Sequence, residues 1–364
     1  MILRPTSDDL SSIAFSLDAY DYELPQELIA QKPVSPRDSS RLFVVHRKEG
    51  RWEHRHFRDL PDYLDSNDLL VANNAQVIKA RLLGYRLRDE AKGGKVEFVL
   101  LEELRPRVWE GLIHASAKYV PGLRFEIPTP DGKGLRGTLI QGVSDSGTVV
   151  AEFDRDPIES GAGVLPLPHY IQRDLNTGDV DDGESYQTVY AKKRGSAAAP
   201  TAGLHFTDGV LDRLKAKGVL WKEVTLHVGL GTFRPVKTAD IRQHPMHEER
   251  YEISPEVAQA VTEWKFKKKR VVAVGTTSTR TLESAWNPDS GLPSGRGRSS
   301  LYLYPGGHPF QVVDRLITNF HFPKTTLLML VSAFAGRELI LDAYREAVRE
   351  KYRFFSYGDS MLIL

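Results

Sequence analysis

The chain has 364 residues, 41% apolar and 27% charged, with a net charge of +1 and no cysteine. That length suggests two domains rather than a single core, and the absence of thiols excludes disulfides, thiolate zinc sites and a cysteine nucleophile. A net charge this small excludes global basicity as a signal for nucleic acid, so an RNA partner needs a local basic face.

The first residues, MILRPTSDDLSSIAF, lack the basic-then-apolar pattern of a secretion signal. The longest apolar run, Leu327 to Phe334, is too short to span a bilayer. A cytoplasmic protein without a membrane partner is expected. A short helix is predicted from Pro25 to Ala30, then a loop, KPVSPRDSS, and a hairpin, RLFVVH and RWEHRHF, turning at Lys48-Glu49-Gly50. DLLVANN reads as a buried strand ending at Asn73 and Asn74.

From Val77 to Phe153 the pattern changes to short alternating runs separated by Gly, Pro and Asp turns at roughly 8–12-residue spacing. This predicts a small antiparallel barrel or sandwich. Strand–helix alternation on both sides marks it as an insertion, so residues 1–76 and 154–364 form a discontinuous α/β domain around an all-β 77–153.

After Leu165 the segment PLPHYIQRDLNTGDVDDGESYQ reads as a long loop. Thr207 caps a helix over DGVLDRLKAK that Gly218 ends, and LWKEVTLHVG is a strand. Ser254 and Pro255 open a helix with Val257, Val261 and Trp264 on one face. RVVAVG is a buried strand feeding a helix, TTSTRTLESAW, and NPDSGLPSGRGRSS a flexible loop. LYLYP and FQVVD read as strands, and TLLMLVSAFAG and Leu339–Lys351 as helices.

There is no phosphate-binding G-x-x-x-x-G-K-[ST], no dinucleotide G-x-G-x-x-G, no G-x-S-x-G elbow and no H-E-x-x-H. A Rossmann methyltransferase, a hydride enzyme and a serine hydrolase are disfavoured. Several motifs remain. In VVAVGTTSTRTLESA a strand ending at Gly275 feeds Thr276, Thr277 and Ser278 into a helix carrying Arg280. Free N–H groups, hydroxyls and the positive helix end suit an anion, and Arg280 can add a bidentate grip on a carboxylate; an ordinary capped strand–helix connection is the plainer alternative. SAAAPTAGLHFT sets small residues before His205, and LHVGLGTFRPV sets His227 before a bend at Gly229, Gly231 and Thr232. Each histidine is a candidate base, although a lone histidine is more often structural. HPMHEERYEI gathers His244, His247, Glu248 and Glu249, without a convincing third metal ligand. DRLITNFHFPKTT gathers Asp314, Asn319 and His321 in what can equally be a polar loop. Lys192–Arg194, Lys265–Arg270, and Arg296 with Arg298 are candidate phosphate contacts, the middle set equally a solvated helix end.

Together and in order, these motifs resemble the S-adenosylmethionine:tRNA ribosyltransferase-isomerase family of queuosine biosynthesis. The similarity runs nearly end to end, from DYELPQELIAQKPVSPRDSSRL through NNAQVIKARLLG, GGKVEF, YQTVYAKKRGSAAAPTAGLHFT, LHVGLGTFRPV, MHEERYEI, VAVGTTSTRTLESA, YLYPG and VVDRLITNFHFPKTTLLMLVSAFAG to YRFFSYGDSMLIL. The chain departs from the family pattern at Asn73-Asn74-Ala75-Gln76, where Asn-Asp-Thr-Arg is usual, and at DDGES, where an acidic–basic pair is usual.

The resemblance implies an α/β domain interrupted by a β-barrel. It implies transfer and isomerisation of the ribosyl part of S-adenosylmethionine onto 7-aminomethyl-7-deazaguanine at the tRNA wobble position, giving epoxyqueuosine, adenine and methionine. The partners would be S-adenosylmethionine, as co-substrate rather than permanent cofactor, and the tRNA anticodon stem-loop, with the protein a monomer holding no metal. The sulfonium acidifies the adjacent C5′ hydrogens, so a histidine base suits the first step. His205 and His227 are expected to move protons, with His247 and His321 in reserve. Gly275, Thr276, Thr277, Ser278 and Arg280 are expected at the methionine carboxylate. Tyr186, Gly229, Gly231, Thr232 and Asn319 are expected around the rest of the ligand, with Glu249, Asp314 or Tyr186 facing the sulfonium. Two rivals are a relative acting on a free deazapurine or nucleoside and a non-catalytic RNA-binding protein of the same fold.

Overall fold

The protein is described here from a computed structural model covering residues 15–144, 147–173, 181–228, 236–246 and 248–364. Its main sheet has nine strands: β1 (Arg41–His46), β2 (Arg51–His56), β3 (Asp68–Asn73), β4 (Leu220–His227), β5 (Glu249–Ile253), β6 (Arg270–Val274), β7 (Gly295–Ser299), β8 (Arg315–Asn319) and β9 (Ser360–Ile363). They lie in the order β7-β5-β4-β3-β6-β8-β9-β1-β2. The central four, β4, β3, β6 and β8, are mutually parallel, with Leu69 opposite Val271 and Val272 opposite Arg315. β9 runs against β8 and parallel to β1. One edge of the sheet therefore collects the ends of β4, β6 and β8 together with the starts of β9 and β1.

Alternation along these strands feeds two cores. Phe43, Leu69, Val71, Val271, Ala273 and Met361 face one side. There they meet helices α2 (Pro255–Phe266), α3 (Gly275–Ala285), α4 (Thr326–Ala335) and α5 (Arg337–Arg349). Leu42, Val44, Leu70, Ala72, Val272 and Ile317 face the other. They pack on Phe57 and Leu60 of a 3-10 segment and on Phe206, Val210 and Leu214, the last two on helix α1 (Asp208–Ala216). Each fully buried aliphatic side chain contributes about 1.5–3 kcal/mol by leaving water. The caps follow the sequence: Thr207, Ser254 and Thr325 accept the N–H of Val210, Val257 and Leu328.

The second body is all β. Strands 81–88, 91–105, 108–115, 149–153, 135–141 and 124–127 pair antiparallel in that order, and Tyr85 opposite Glu126 closes the ring. Phe98, Phe125 and Phe153 fill it, with Phe98 and Phe125 stacked at 5.8 Å. An α/β sheet interrupted by a small antiparallel barrel is the expected architecture. An ion pair between Arg250 of β5 and Glu102 joins the two bodies.

Several local expectations differ. Pro25–Ala30 is a 3-10 turn, Gln26–Leu28, too short for an α-helix. LYLYP and FQVVD form no strand. The N–H groups of Gln311, Val312 and Val313 donate to the buried Glu283 carboxylate, which replaces a neighbouring strand. Conversely, GRGRS is strand β7: it pairs with β5. Arg298 and Arg296 there meet Glu248 and Glu252 at 2.9 and 3.4 Å. The segment read as one long loop after Leu165 contains a helical turn, Asp182–Ser185, capped by Asp181.

Candidate active site

At the collecting edge of the sheet lies a cavity of about 400 Å³, within the ~300–1,000 Å³ span of small-molecule sites. In parallel sheets, ligands sit outside the carboxyl ends of the strands. Here Val228 follows β4, Gly275 follows β6, and Asn319 ends β8; all three line the cavity.

Gly275 takes φ +86, a conformation open to glycine, and turns the chain straight from β6 into α3. No side chain caps α3. Its first-turn N–H groups therefore have no helical partner, and Gly275, Thr276 and Thr277 bring them to the cavity. The Thr277 hydroxyl is buried there without a hydrogen-bond partner. Ser278, by contrast, is spent inside the helix, donating to Val274 O at 2.9 Å.

Another part of the lining is aromatic. Tyr170, Phe322 and Phe355 line the cavity and contact one another, Tyr170 lying 4.9 Å from Phe355 and 5.3 Å from Phe322. Phe355 holds φ +69, unusual for an aromatic residue and a form of backbone strain that gathers at functional sites. The rest of the lining mixes small or polar residues, among them Ala199, Thr201, Thr318, Asn319, His321 and Ser356, with the apolar Pro168, Val228, Phe320 and Leu327. Among the described residues the lining contains no carboxylate, lysine or arginine.

Two of the described histidines reach the cavity. His169 lies at an exposed position. His321 is buried, its Nε2 2.8 Å from Thr318 Oγ1, and burial holds its pKa down at about 3, so it is neutral at ordinary pH. His205 does not line this space. It lies one layer behind, 3% exposed, with Nε2 3.0 Å from Asn319 Nδ2 and Nδ1 2.8 Å from Ser40 Oγ. His227 ends β4 next to the lining residue Val228. Its ring lies against Gly195, where a Cβ would approach Cε1 to 3.1 Å. Burial lowers its pKa, opposed by the nearby Glu252 and aided by Lys193.

Arg280 does not face the cavity. Its guanidinium is 4% exposed and ion-paired with Glu249, and it donates to Leu301 O at 3.1 Å and Ser299 O at 3.3 Å. Asp314 is likewise committed, to Lys265 at 2.9 Å and to the N–H of Val271. Neither Glu249 nor Asp314 lines the cavity. Tyr186 is fully buried behind Ala199 and Leu204, edge-on to Tyr357. Gly229, Gly231, Thr232 and His247 lie outside the described residues. In the HPMHEERYEI cluster, His244 packs on Tyr302 and Glu248 pairs with Arg298. No group of three or more metal-ligating side chains comes together among the described residues.

Thus the structure joins Gly275–Thr277, Asn319 and His321 in one cavity, with His205 behind it and His227 beside it. Sequence reading missed Tyr170, Phe322 and Phe355, along with Thr201 and His169. The positive φ of Phe355 is invisible in the sequence, and the three aromatics come from separate segments.

The basic sets are largely paired. Lys192 meets Glu223 at 2.9 Å, Lys267 meets Glu263 at 3.3 Å, and Arg270 meets Asp68 at 2.7 Å. No described helix is long and apolar enough to cross a membrane.

Known proteins match this chain along almost its whole length. The family model for queuosine biosynthesis protein covers residues 17–363. A protein of Symbiobacterium thermophilum named S-adenosylmethionine:tRNA ribosyltransferase-isomerase is 51% identical over 96% of this chain and 99% of its own. One of the same name from Clostridioides difficile is 47% identical over 94% and 98%. The crystal structure of the S-adenosylmethionine tRNA ribosyltransferase of Thermotoga maritima superposes with a TM-score of 0.53 at 38% identity, covering 95% of this chain and 100% of that one. The chain belongs to the queuosine biosynthesis protein family.

Proposed function

We propose that this chain transfers and isomerises the ribosyl part of S-adenosylmethionine onto 7-aminomethyl-7-deazaguanine at the wobble position of tRNA, releasing adenine and methionine. The observation that carries this reading is the cavity at the sheet edge: a free helix N-terminus on one wall, aromatic rings on another, and a neutral interior between.

A zwitterionic sulfonium nucleoside fits such a space. The methionine carboxylate lies against the N–H groups of Gly275–Thr277 and the Thr277 hydroxyl, where the helix end favours an anion. With no carboxylate among the described lining residues, the sulfonium charge is met by aromatic faces, Tyr170 and Phe355 being the ones at hand. The purine takes the same aromatic wall by stacking. A sulfonium acidifies its adjacent C5′ hydrogens. Of the two described histidines that line the cavity, the exposed His169 is our candidate to take that proton, because burial holds His321 at a pKa of about 3 and makes it a weak base. The substrate base is extruded from the anticodon loop to enter. The barrel, taken as the inserted unit 77–153, grips the stem-loop, and the enzyme works as a cytoplasmic monomer with no permanent cofactor.

The test is mass spectrometry of wobble-precursor tRNA incubated with S-adenosylmethionine and the purified protein. Adenine, methionine and an epoxyqueuosine nucleoside in equal amounts are expected. Turnover of the free deazapurine but not of tRNA, or no adenine at all, would refute the proposal.

A further inference from the structure

His205 holds the next layer of this cavity together, and its hydrogen bonds fix the polarity of the wall. Resting on the reading that the cavity binds S-adenosylmethionine, we propose that His205 is a positioning residue. It locks the Asn319 amide, and through that amide makes the Thr201 hydroxyl an acceptor selecting a hydrogen-bond donor on the nucleoside.

The polarities follow from the inventory of donors and acceptors. The Asn319 amide lies 3.2 Å from the carbonyl oxygen of Phe355. A carbonyl only accepts, so that end of the amide is nitrogen. The same nitrogen lies 3.0 Å from His205 Nε2. Nε2 must then be the bare, accepting nitrogen, and the ring's one proton sits on Nδ1, donating to Ser40 Oγ at 2.8 Å. Both amide hydrogens are now used. The other end of Asn319, Oδ1, lies 3.0 Å from Thr201 Oγ1 and accepts its only proton. What Thr201 has left for the cavity it lines is a pair of lone pairs. The nucleoside offers its exocyclic amino group and its ribose hydroxyls as matching donors.

The scaffold keeps His205 in this role. Its ring stacks on Phe57 at 5.2 Å and 29°. Ser40 immediately precedes β1, and Asn319 ends β8, so the whole chain of bonds lies along the collecting edge of the sheet. Burial keeps the ring neutral, with its pKa down at about 3. A protonated ring would set Nε2–H against the amide N–H and eject Asn319.

The test compares His205→Gln, His205→Leu, Thr201→Val and the double variant His205→Leu/Thr201→Val. Each is assayed for kcat/KM of adenine release from S-adenosylmethionine with precursor tRNA, and for its melting temperature. A glutamine places its amide oxygen near the position of Nε2 and can still accept from Asn319. Loss of a buried partner predicts a fall of about 10- to 100-fold for His205→Leu and for Thr201→Val. His205→Gln should recover most of that loss, and the double variant should lose no more than the worse single. A His205→Gln variant that melts like wild type yet is as inactive as His205→Leu would overturn the proposal, because a proton carrier cannot be replaced by an amide. Multiplicative losses in the double variant would overturn it too. Nitrogen-15 NMR of the His205 ring tests the geometry without activity: a protonated Nδ1 and a bare Nε2 are expected, and the opposite tautomer refutes it. Failure of the wild-type protein to release adenine would refute the function proposed above, while the tautomer still tests this inference.

Discussion

Arg280→Ala separates a structural arginine from a ligand clamp. Sequence reading gives Arg280 to the ligand's carboxylate, but its guanidinium meets Glu249 and the carbonyls of Leu301 and Ser299, with both charged groups about 5% exposed or less. Removing one partner of a buried ion pair typically costs about 3–5 kcal/mol, because the other charge stays buried. An unfolding entropy of roughly 2.1 cal/mol/K per residue over 364 residues is about 0.76 kcal/mol/K, so the melting temperature should drop by about 4–7 °C. The double variant Arg280→Met/Glu249→Leu removes both members of the pair and should regain much of that loss. The assay pairs scanning calorimetry with titration calorimetry of S-adenosylmethionine well below the melting point. The dissociation constant should stay close to wild type in both variants. A tenfold weaker dissociation constant with an unchanged melting temperature would mean that Arg280 leaves Glu249 to grip the ligand, and the structural role would be wrong.

Thr277→Val removes a buried hydroxyl that has no partner in the free protein. Titration calorimetry should show about tenfold weaker S-adenosylmethionine binding, with no loss of melting temperature; unchanged binding would take the carboxylate away from α3. His205 and His321 both have pKa values lowered from 6.5 to about 3 by burial. The unfolded chain takes up these protons and the folded chain does not, so their contribution is complete above pH 6.5 and is lost as pH falls towards 3. The loss is about 1.4 kcal/mol per pH unit for each ring. Urea unfolding at pH 7.5 and 5 should show that slope, and His321→Gln should flatten it; an identical slope in the variant contradicts the burial. In the barrel, a Cβ on Gly84 would lie 2.2 Å from the backbone oxygen of Glu126 on the closing strand. Gly84→Ala should therefore open the seam between 81–88 and 124–127, seen as faster amide exchange there; unchanged protection would show that the seam yields elsewhere.

What the sequence made legible was what local chemistry encodes. A buried strand running through Gly275 into hydroxyl residues reads correctly as a helix start, and the structure leaves that start uncapped beside the cavity. The alternating runs between Val77 and Phe153 read as a small antiparallel barrel or sandwich, since period two survives without tertiary information, and the pairing of 81–88 with 124–127 decides for the barrel. FQVVD misleads for the same reason: it alternates like a strand, but its N–H groups belong to Glu283, a partner 28 to 30 residues away. Arg280 looks like a ligand residue because Glu249, 31 residues distant, cannot be paired with it from spacing. His205 is singled out by its motif, yet only the positions of Ser40 and Asn319 show that both ring nitrogens are occupied. The aromatic wall was beyond reach, assembled from Tyr170, Phe322 and Phe355 by the order of the strands.

A crystal structure grown with S-adenosylmethionine puts the proposed site to direct trial. The methionine carboxylate should lie within hydrogen-bonding distance of the Gly275–Thr277 backbone, the purine against Tyr170 or Phe355, and a nucleoside donor near Thr201. Density for the ligand against Arg280, or in a second groove that Asn74, Lys193, Trp221 and Thr225 line, with the sheet-edge cavity empty, would contradict the account.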